Sequence, residues 1–303
     1  MKTYNDVYLG ARRKLRAAGI AAHDLEARLI VAYSTGKTRE ELLSLSRYYV
    51  TDNEVLDKVD ELLQRRITGE PIAYIVGEWE FYGLPLTVNE TVLIPRMDTE
   101  VLAQEAIRLM KTRGGQTRML DLCAGCGAIG LAVAANVPDC RIVLADASEK
   151  ALAVCRANML RNRLSRNTTA IMADALETPP ALLGMFDTIV SNPPYIKTFE
   201  LRNLDRSVRN YEPVFALDGG ADGLDFHRAI SLNWSILLKV GGYLAFECGA
   251  GQAGAIREIM EDNGYASIRT LKDTLDIERV VVGRLRKRRE SIINDQQLMG
   301  STQ

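Results

Sequence analysis

Nowhere in the 303 residues does an apolar run approach the roughly 20 needed to cross a bilayer, so no membrane-spanning helix is expected. Met1-Lys2-Thr3-Tyr4-Asn5-Asp6 lacks the apolar core of a secretion signal, and a cytoplasmic location is expected. Neither sign of charge dominates: 38 Lys plus Arg stand against 39 Asp plus Glu, for a formal charge of -1. Without a global basic field, nucleic acid is not an expected partner. Histidine is scarce. His23 and His227 are the only two, and neither has ligand-type neighbours, which counts against a histidine-based metal site or nucleophile triad. Five cysteines, an odd number without a secretion signal, argue for reduced thiols in place of a disulfide framework. Cys123-x-x-Cys126 has no second close pair to complete a zinc site, so no metal is assigned.

What is present is a large apolar fraction, 47% hydrophobic with 25% charged residues, enough for a substantial core and, at this length, two domains. Residues 1–75 read as a helical domain, with Val7, Ala11 and Leu15, then Leu25, Leu29 and Ile30, at helical spacing. His23-Asp24 reads as one helix start, and Thr51-Asp52-Asn53-Glu54 offers N-cap residues for another. Residues 76–100 form a linking β-hairpin and connector, with strands on either side of Gly83. Residues 101–285 carry βα alternation and finish in an antiparallel pair, Ala266–Leu271 and Glu278–Val282. Residues 286–303, opening on Arg286-Lys287-Arg288-Arg289, read as a basic and polar mobile tail.

Within the alternating region, Met119-Leu120-Asp121-Leu122 reads as a buried strand running into Cys123-Ala124-Gly125-Cys126-Gly127-Ala128-Ile129-Gly130 and a helix. Gly125 and Gly127 permit close backbone approach to a ligand, and the opening helix presents free N–H groups. Read literally, Gly125-x-Gly127-x-x-Gly130 also fits a dinucleotide-binding dehydrogenase. The next strand ends at Asp146, suited to ribose hydroxyls or, alternatively, to starting a helix. A further strand, Thr169–Ala173, leads to Asp174. Asp121, Asp146, Asp174 and Asn192 all fall near carboxyl ends of strands, where open parallel sheets bind ligands, and are expected to line one crevice.

Asn192-Pro193-Pro194-Tyr195 follows the apolar run Phe186–Val190. Two prolines hold this turn extended and remove two backbone donors. The Asn192 side-chain oxygen and the Pro193 carbonyl then remain as acceptors for one planar –NH2 group, on which Tyr195 can stack. That set suits methylation of an amide or of an exocyclic base amine. The turn alone is also compatible with a stiffened strand end.

Taken with Asp121, the glycines, Asp146 and Asp174, the turn resembles the pattern of S-adenosylmethionine-dependent methyltransferases. More segments narrow the likeness: Arg65-Arg66-x-x-Gly69-Glu70-Pro71-Ile72-Ala73-Tyr74-Ile75, Leu93-Ile94-Pro95-Arg96-x-Asp98-Thr99-Glu100, Tyr211-Glu212-Pro213, Ala216-Leu217-x-Gly219-Gly220-x-Asp222-Gly223-Leu224, and Glu247-x-Gly249 with Gln252. Over nearly its whole length the chain resembles the HemK-type (PrmC) N5-glutamine methyltransferases that modify peptide chain release factors. The resemblance implies an α/β fold: a Rossmann-like class I methyltransferase domain with a seven-stranded sheet, preceded by a small helical domain that helps recognise the protein substrate. It implies S-adenosylmethionine as cofactor, with S-adenosylhomocysteine as product, held by Asp121, Gly125, Gly127, Asp146, Asp174 and Asn192. Catalysis is assigned to Asn192, Pro193 and Tyr195, and substrate contact to these with Pro194, Phe81 and Arg96; Phe81 is equally compatible with a core position. The implied partners are class I release factors, the proteins of translation termination, methylated on the glutamine of Gly-Gly-Gln. A DNA or RNA adenine N6-methyltransferase is the alternative enzyme, and a non-catalytic cofactor-binding module the alternative class. Cys123 and Cys126 stand where the family carries small or hydroxyl residues, and Met97-Asp98 where it carries proline–glutamate.

Overall fold

A computed structural model describes residues 1–180 and 182–287; the expected tail from Arg288 onward lies outside them. The chain divides into two units, Met1–Glu78 with Asp205–Tyr211, and Trp79–Leu204 with Glu212–Gln303. The second segment of the first unit was not foreseen from the sequence, because Asp205–Tyr211 is separated from the helical domain by the whole first half of the sheet.

In the first unit, strand β1 (Lys2–Thr3) pairs with β2 (Tyr49–Val50), and helices α1 (Tyr4–Ala17), α2 (His23–Thr35), α3 (Arg39–Ser44), α4 (Asn53–Ile67) and α5 (Ile72–Val76) follow in order. Thr3 and Asp6 form a reciprocal capping box on α1, and Thr38 and Glu41 do the same on α3, each satisfying two otherwise unpaired N–H groups. Asp52 caps α4. The spaced residues Val7, Ala11, Leu15 and Ile30 are buried as expected, whereas Leu25 is 51% exposed. Helix α9 (Arg206–Tyr211) completes this unit.

Strands β3 (Glu78–Phe81) and β4 (Leu84–Thr87) form the expected hairpin. Tyr82 and Gly83 both have positive φ, the backbone that a two-residue turn needs to match strand twist.

After α6 (Glu100–Arg113) comes the main sheet. Its strands are β5 (Thr117–Leu122), β6 (Cys140–Asp146), β7 (Thr168–Met172), β8 (Phe186–Ser191), β9 (Leu238–Glu247), β10 (Tyr265–Lys272) and β11 (Glu278–Leu285). Their order is β10-β11-β9-β8-β5-β6-β7, with β9 to β7 parallel and β11 antiparallel to both neighbours, the expected seven-stranded sheet and late antiparallel pair. Helices α7 (Ala128–Asn136) and α8 (Glu149–Arg161) connect the first parallel strands, while α10 (Asp225–Asn233) and α11 (Ala253–Asp262) flank β9. Leu120, Leu122, Ile189, Leu244, Phe246 and Val281 are buried in the sheet core, as continuous apolar runs in a covered parallel sheet require.

Gly241-Gly242 lies inside β9. Pairing with β8 jumps from Phe186–Leu238 to Thr188–Tyr243, so the glycines sit in a bulge. A Cβ on Gly242 would stand 2.8 Å from the carbonyl oxygens of Asp187 and Lys239.

Candidate active site

The glycine loop is shaped from β5 and β6 together. Asp121 is buried in β5, one residue before the strand ends, and its Oδ2 accepts the Gly130 N–H at 2.8 Å. Among the described residues its other oxygen has no hydrogen-bond partner, and burial raises the carboxyl from its ordinary value to about 7. Gly127, at φ +87, caps α7, and a Cβ there would approach the Cys155 sulfur to 2.9 Å. Gly130 serves a different need: a Cβ would lie 2.2 Å from Leu144 Cδ2, so this glycine lets α7 lie against the sheet. Cys123 has φ +59, and burial pushes its thiol far above the usual thiol range; Cys126 is pushed up to about 12 by the same cause. Both are free, protonated sulfurs and not reactive thiolates.

Asp146 ends β6 with both oxygens engaged. Oδ2 accepts Gly125 N–H at 2.8 Å and Oδ1 accepts Ser148 N–H at 2.9 Å. The N-cap of α8 is Ser148, whose hydroxyl accepts from Ala151, so Asp146 is not itself the cap. Burial raises its pKa, and the backbone donors oppose that rise. Asp174 lies beyond the end of β7, exposed, with Oδ1 accepting Leu176 N–H at 2.9 Å. The wall after it is held by Trp234, whose buried indole donates to the Ala175 carbonyl at 3.0 Å.

The Asn192–Tyr195 turn leaves the end of β8 and is held from three directions. Asn192 Nδ2 donates to Thr99 Oγ1 at 3.3 Å. The Tyr195 hydroxyl donates to Glu247 Oε1, at the end of β9, at 3.4 Å. Gln252 Nε2 donates to the Tyr195 carbonyl at 2.9 Å and to the Gly223 carbonyl at 3.3 Å, while its Oε1 accepts from Gly249 N–H at 2.8 Å. Backbone meets backbone here. A Cβ on Gly219 would sit 2.7 Å from the Pro194 carbonyl oxygen, which accounts physically for glycine at that position. Burial raises Glu247 to about 7, against which Thr99 and Arg279 work, and burial followed by the Glu247 charge pushes the Tyr195 phenol up.

These elements border a cavity of about 210 Å³ lined by Cys123, Gly125, Asp146, Asp174, Asn192 and Pro194 among others. Five of the expected site residues therefore share one crevice. Asp121, Gly127, Pro193 and Tyr195 lie outside its lining: Asp121 sits behind the loop, and Pro193 is buried in the turn. Phe81 is 2% exposed and is a core side chain, so its placement at a substrate mouth is replaced by the packing alternative. Arg96 pairs with the buried Glu212 carboxylate, which also accepts Ile94 N–H at 3.4 Å; these bonds tie the Ile94-Pro95-Arg96 segment to Glu212. Sequence reasoning missed Thr91, Val92, Leu93, Phe215 and Phe226 in the lining, since no pattern marks walls drawn from distant segments. It also left Thr99 and Glu247 without roles, although both stood in segments it had singled out. Among the described residues, no group of three or more His, Cys, Asp or Glu is arranged to hold a metal ion.

Two family models match the chain, one described as the PrmC N-terminal domain over residues 6–77 and one as the methyltransferase small domain over residues 99–204. A release factor glutamine methyltransferase of Caulobacter vibrioides is 37% identical over 276 residues, covering 91% of this chain and 94% of that protein. The protein of the same name in Clostridium acetobutylicum is 35% identical over 257 residues, covering 85% and 90%. Among solved structures, a methyltransferase from Pyrococcus furiosus aligns with a TM-score of 0.50 at 17% identity, over 75% of this chain and 100% of that one, a likeness of fold.

Proposed function

The chain belongs to the family of release factor glutamine methyltransferases, and from that premise we propose that it methylates the side-chain amide nitrogen of the Gly-Gly-Gln glutamine in class I peptide chain release factors. The observation that carries this reading is the orientation of Asn192, whose –NH2 end is engaged by Thr99 so that its Oδ1 is the end left to accept protons from a substrate. S-adenosylmethionine, when bound, supplies an electrophilic methyl group on sulfur and leaves as S-adenosylhomocysteine. The residues present suit it: the cavity brings the Gly125 backbone and the Asp146 and Asp174 carboxylates beside Asn192, an amide suited to holding the acceptor. Gly125 and the buried face of Asp121 shape the loop for the amino-acid end, Asp146 offers acceptors for ribose hydroxyls, and Asp174 stands on the adenine side.

A glutamine amide nitrogen is a weak nucleophile because its lone pair is delocalised into the carbonyl. Asn192 Oδ1 and the Pro193 carbonyl accept its two N–H groups and turn the nitrogen towards the incoming methyl, so positioning is the main catalytic term. These bonds strengthen as positive charge builds on nitrogen. Tyr195 walls the slot and excludes water; its phenol, raised by burial beside Glu247, stays protonated and does not act as a base. The nitrogen loses its extra proton to solvent after transfer.

The helical unit, over which the PrmC N-terminal model matches, recognises the release factor. Among the described residues no helix is long and apolar enough to cross a membrane, and action on release factors accords with a cytoplasmic protein. The test is mass spectrometry of release-factor peptides after incubation with S-adenosylmethionine: a gain of one methyl on the Gly-Gly-Gln glutamine is expected. Label appearing in DNA or RNA adenine with none on glutamine would replace this reading by the nucleic-acid alternative.

A further inference from the structure

Asn158, near the end of α8, is fully buried and bonds main chain on two sides. Its Oδ1 accepts the Thr87 N–H at 2.6 Å, and its Nδ2 donates to the Thr87 carbonyl and to the Cys126 carbonyl, both at 3.0 Å. A peptide N–H only donates and a carbonyl only accepts, so these partners leave one orientation for the amide. Thr87 ends β4, and Asn158 pairs with it as a neighbouring strand would. Cys126 belongs to the glycine loop, where the other end of the same peptide unit, the Gly127 N–H, donates to the Ala124 carbonyl at 2.8 Å. One side chain therefore joins the hairpin to the loop.

That junction sets the spacing of two cavity walls. Cys123 and Gly125 line the cavity from the loop, and Thr91, Val92 and Leu93 line it from the segment after β4. Between Thr87 and this second wall the chain is short and bonded to itself: Asn89 Oδ1 accepts the Thr91 N–H at 3.0 Å, and the Asn89 carbonyl accepts the Val92 N–H at 3.1 Å. Val88 and Val92 are both buried. We propose that Asn158 is a positioning residue for the cofactor, holding the Thr91–Leu93 wall against the glycine loop at the width S-adenosylmethionine needs. This rests on the reading of the cavity as the S-adenosylmethionine site. Asn162, one turn on at the C-cap of α8, supplies an internal comparison. Its Nδ2 donates to the Pro85 carbonyl at 3.1 Å, a bond from the same helix to the same hairpin that does not involve the loop.

The experiment titrates S-adenosylhomocysteine into full-length wild type, Asn158→Ala and Asn162→Ala by calorimetry well below Tm. Asn158→Ala is expected to raise Kd about tenfold, the scale of one net hydrogen bond, and to leave kcat at saturating cofactor within about threefold of wild type, the split of a residue that acts on binding. Asn162→Ala should keep the wild-type Kd. Equal rises in the two variants, or a wild-type Kd in Asn158→Ala, overturn the proposal. Should Asn158→Ala fail to fold, amide hydrogen exchange in the wild type decides. Thr87 and Tyr82 both lie outside the cavity lining, and the Tyr82 N–H is bonded elsewhere, to Glu100 Oε1 at 3.0 Å. Saturation with S-adenosylhomocysteine should slow exchange at Thr87 well beyond any slowing at Tyr82; an unchanged Thr87, or equal slowing at both, overturns the proposal. A wild-type protein that does not bind S-adenosylhomocysteine overturns the cofactor reading and this inference with it, whereas normal wild-type binding with an indifferent Asn158 overturns the inference alone.

Discussion

Gly223 lies so close to Tyr195 that a Cβ on Gly223 would stand 2.3 Å from the Tyr195 carbonyl oxygen. Its φ of +77 also belongs to the left-handed region, which side-chain-bearing residues rarely adopt. The Asn192–Tyr195 turn is thus held by a glycine well beyond it in the chain, with Gln252 bonded to both carbonyls. Gly223→Ala is expected to displace the turn and lower kcat at least about a hundredfold, the scale of a misplacement near 1 Å. S-adenosylmethionine titration and transfer rates on the same preparation check this; a variant with normal rate would show that the turn does not need this contact.

Asn192→Ala should keep the fold and cofactor affinity but cut the transfer rate by about two orders of magnitude, because one of two acceptors that orient the amide is removed. Asn192→Asp should recover only part of the rate. A carboxylate accepts the same bonds, yet it adds charge and no longer donates to Thr99. Single-turnover rates at saturating cofactor are the measurement, and full activity of the alanine variant would remove Asn192 from the mechanism.

Asp146→Ala should weaken S-adenosylmethionine binding and also destabilise the protein. The second effect follows from the structure: the part-buried Gly125 and Ser148 N–H groups both lose their acceptor, at a cost of about 1 kcal/mol, the low end for donors left unpaired. Calorimetric titration well below Tm separates the two. Lower Tm with unchanged affinity would confine Asp146 to holding the loop.

Cys123→Ser and Cys126→Ser should leave methyl transfer largely intact, since burial holds both thiols protonated and the loop is shaped by glycines and backbone bonds. Cys123→Gly tests the backbone instead. Relief of a positive φ should stabilise the loop slightly. Transfer that switches with dithiol oxidation of this pair would contradict the assignment.

Asp121 supplies a pH prediction. Its folded value, about 7, lies above the ordinary 3.8, so the stability it contributes is present below about pH 4 and is lost as pH rises towards 7. Asp121→Asn keeps an acceptor for Gly130 and removes the titration. The stability of Asp121→Asn relative to wild type, followed by Tm, should therefore climb between pH 4 and 7, on the order of 1.4 kcal/mol for each pH unit crossed. Glu247, raised similarly, is common to both proteins and cancels. A Tm difference independent of pH would mean that Asp121 stays charged throughout.

Much of the fold was legible because parallel strands buried on both faces are written as continuous apolar runs, and because helix caps are short local bonds. Asp52, Ser148 and the Tyr82-Gly83 turn act within a few residues of themselves. The bulge at Gly241-Gly242 is not legible in that way, since a bulge is defined only by the strand beside it. Phe81 shows the same limit. Its ring suits a binding wall or a core equally, and burial alone separates them.

The sequence by itself determined the chemistry: two prolines and an amide at a strand end, glycines after a buried strand, and acids where parallel strands finish. Those properties are carried by residue type and by spacing along one segment. Only the tertiary structure decided that Asp121 stands behind the loop while Asp146 and Asp174 reach the cavity, and that Thr99, Glu247, Gln252 and Gly223 converge on the Asn192–Tyr195 turn. Contacts between segments tens of residues apart depend on sheet order and register, and a hydroxyl or carboxylate acquires its role only from the partner that packing brings to it.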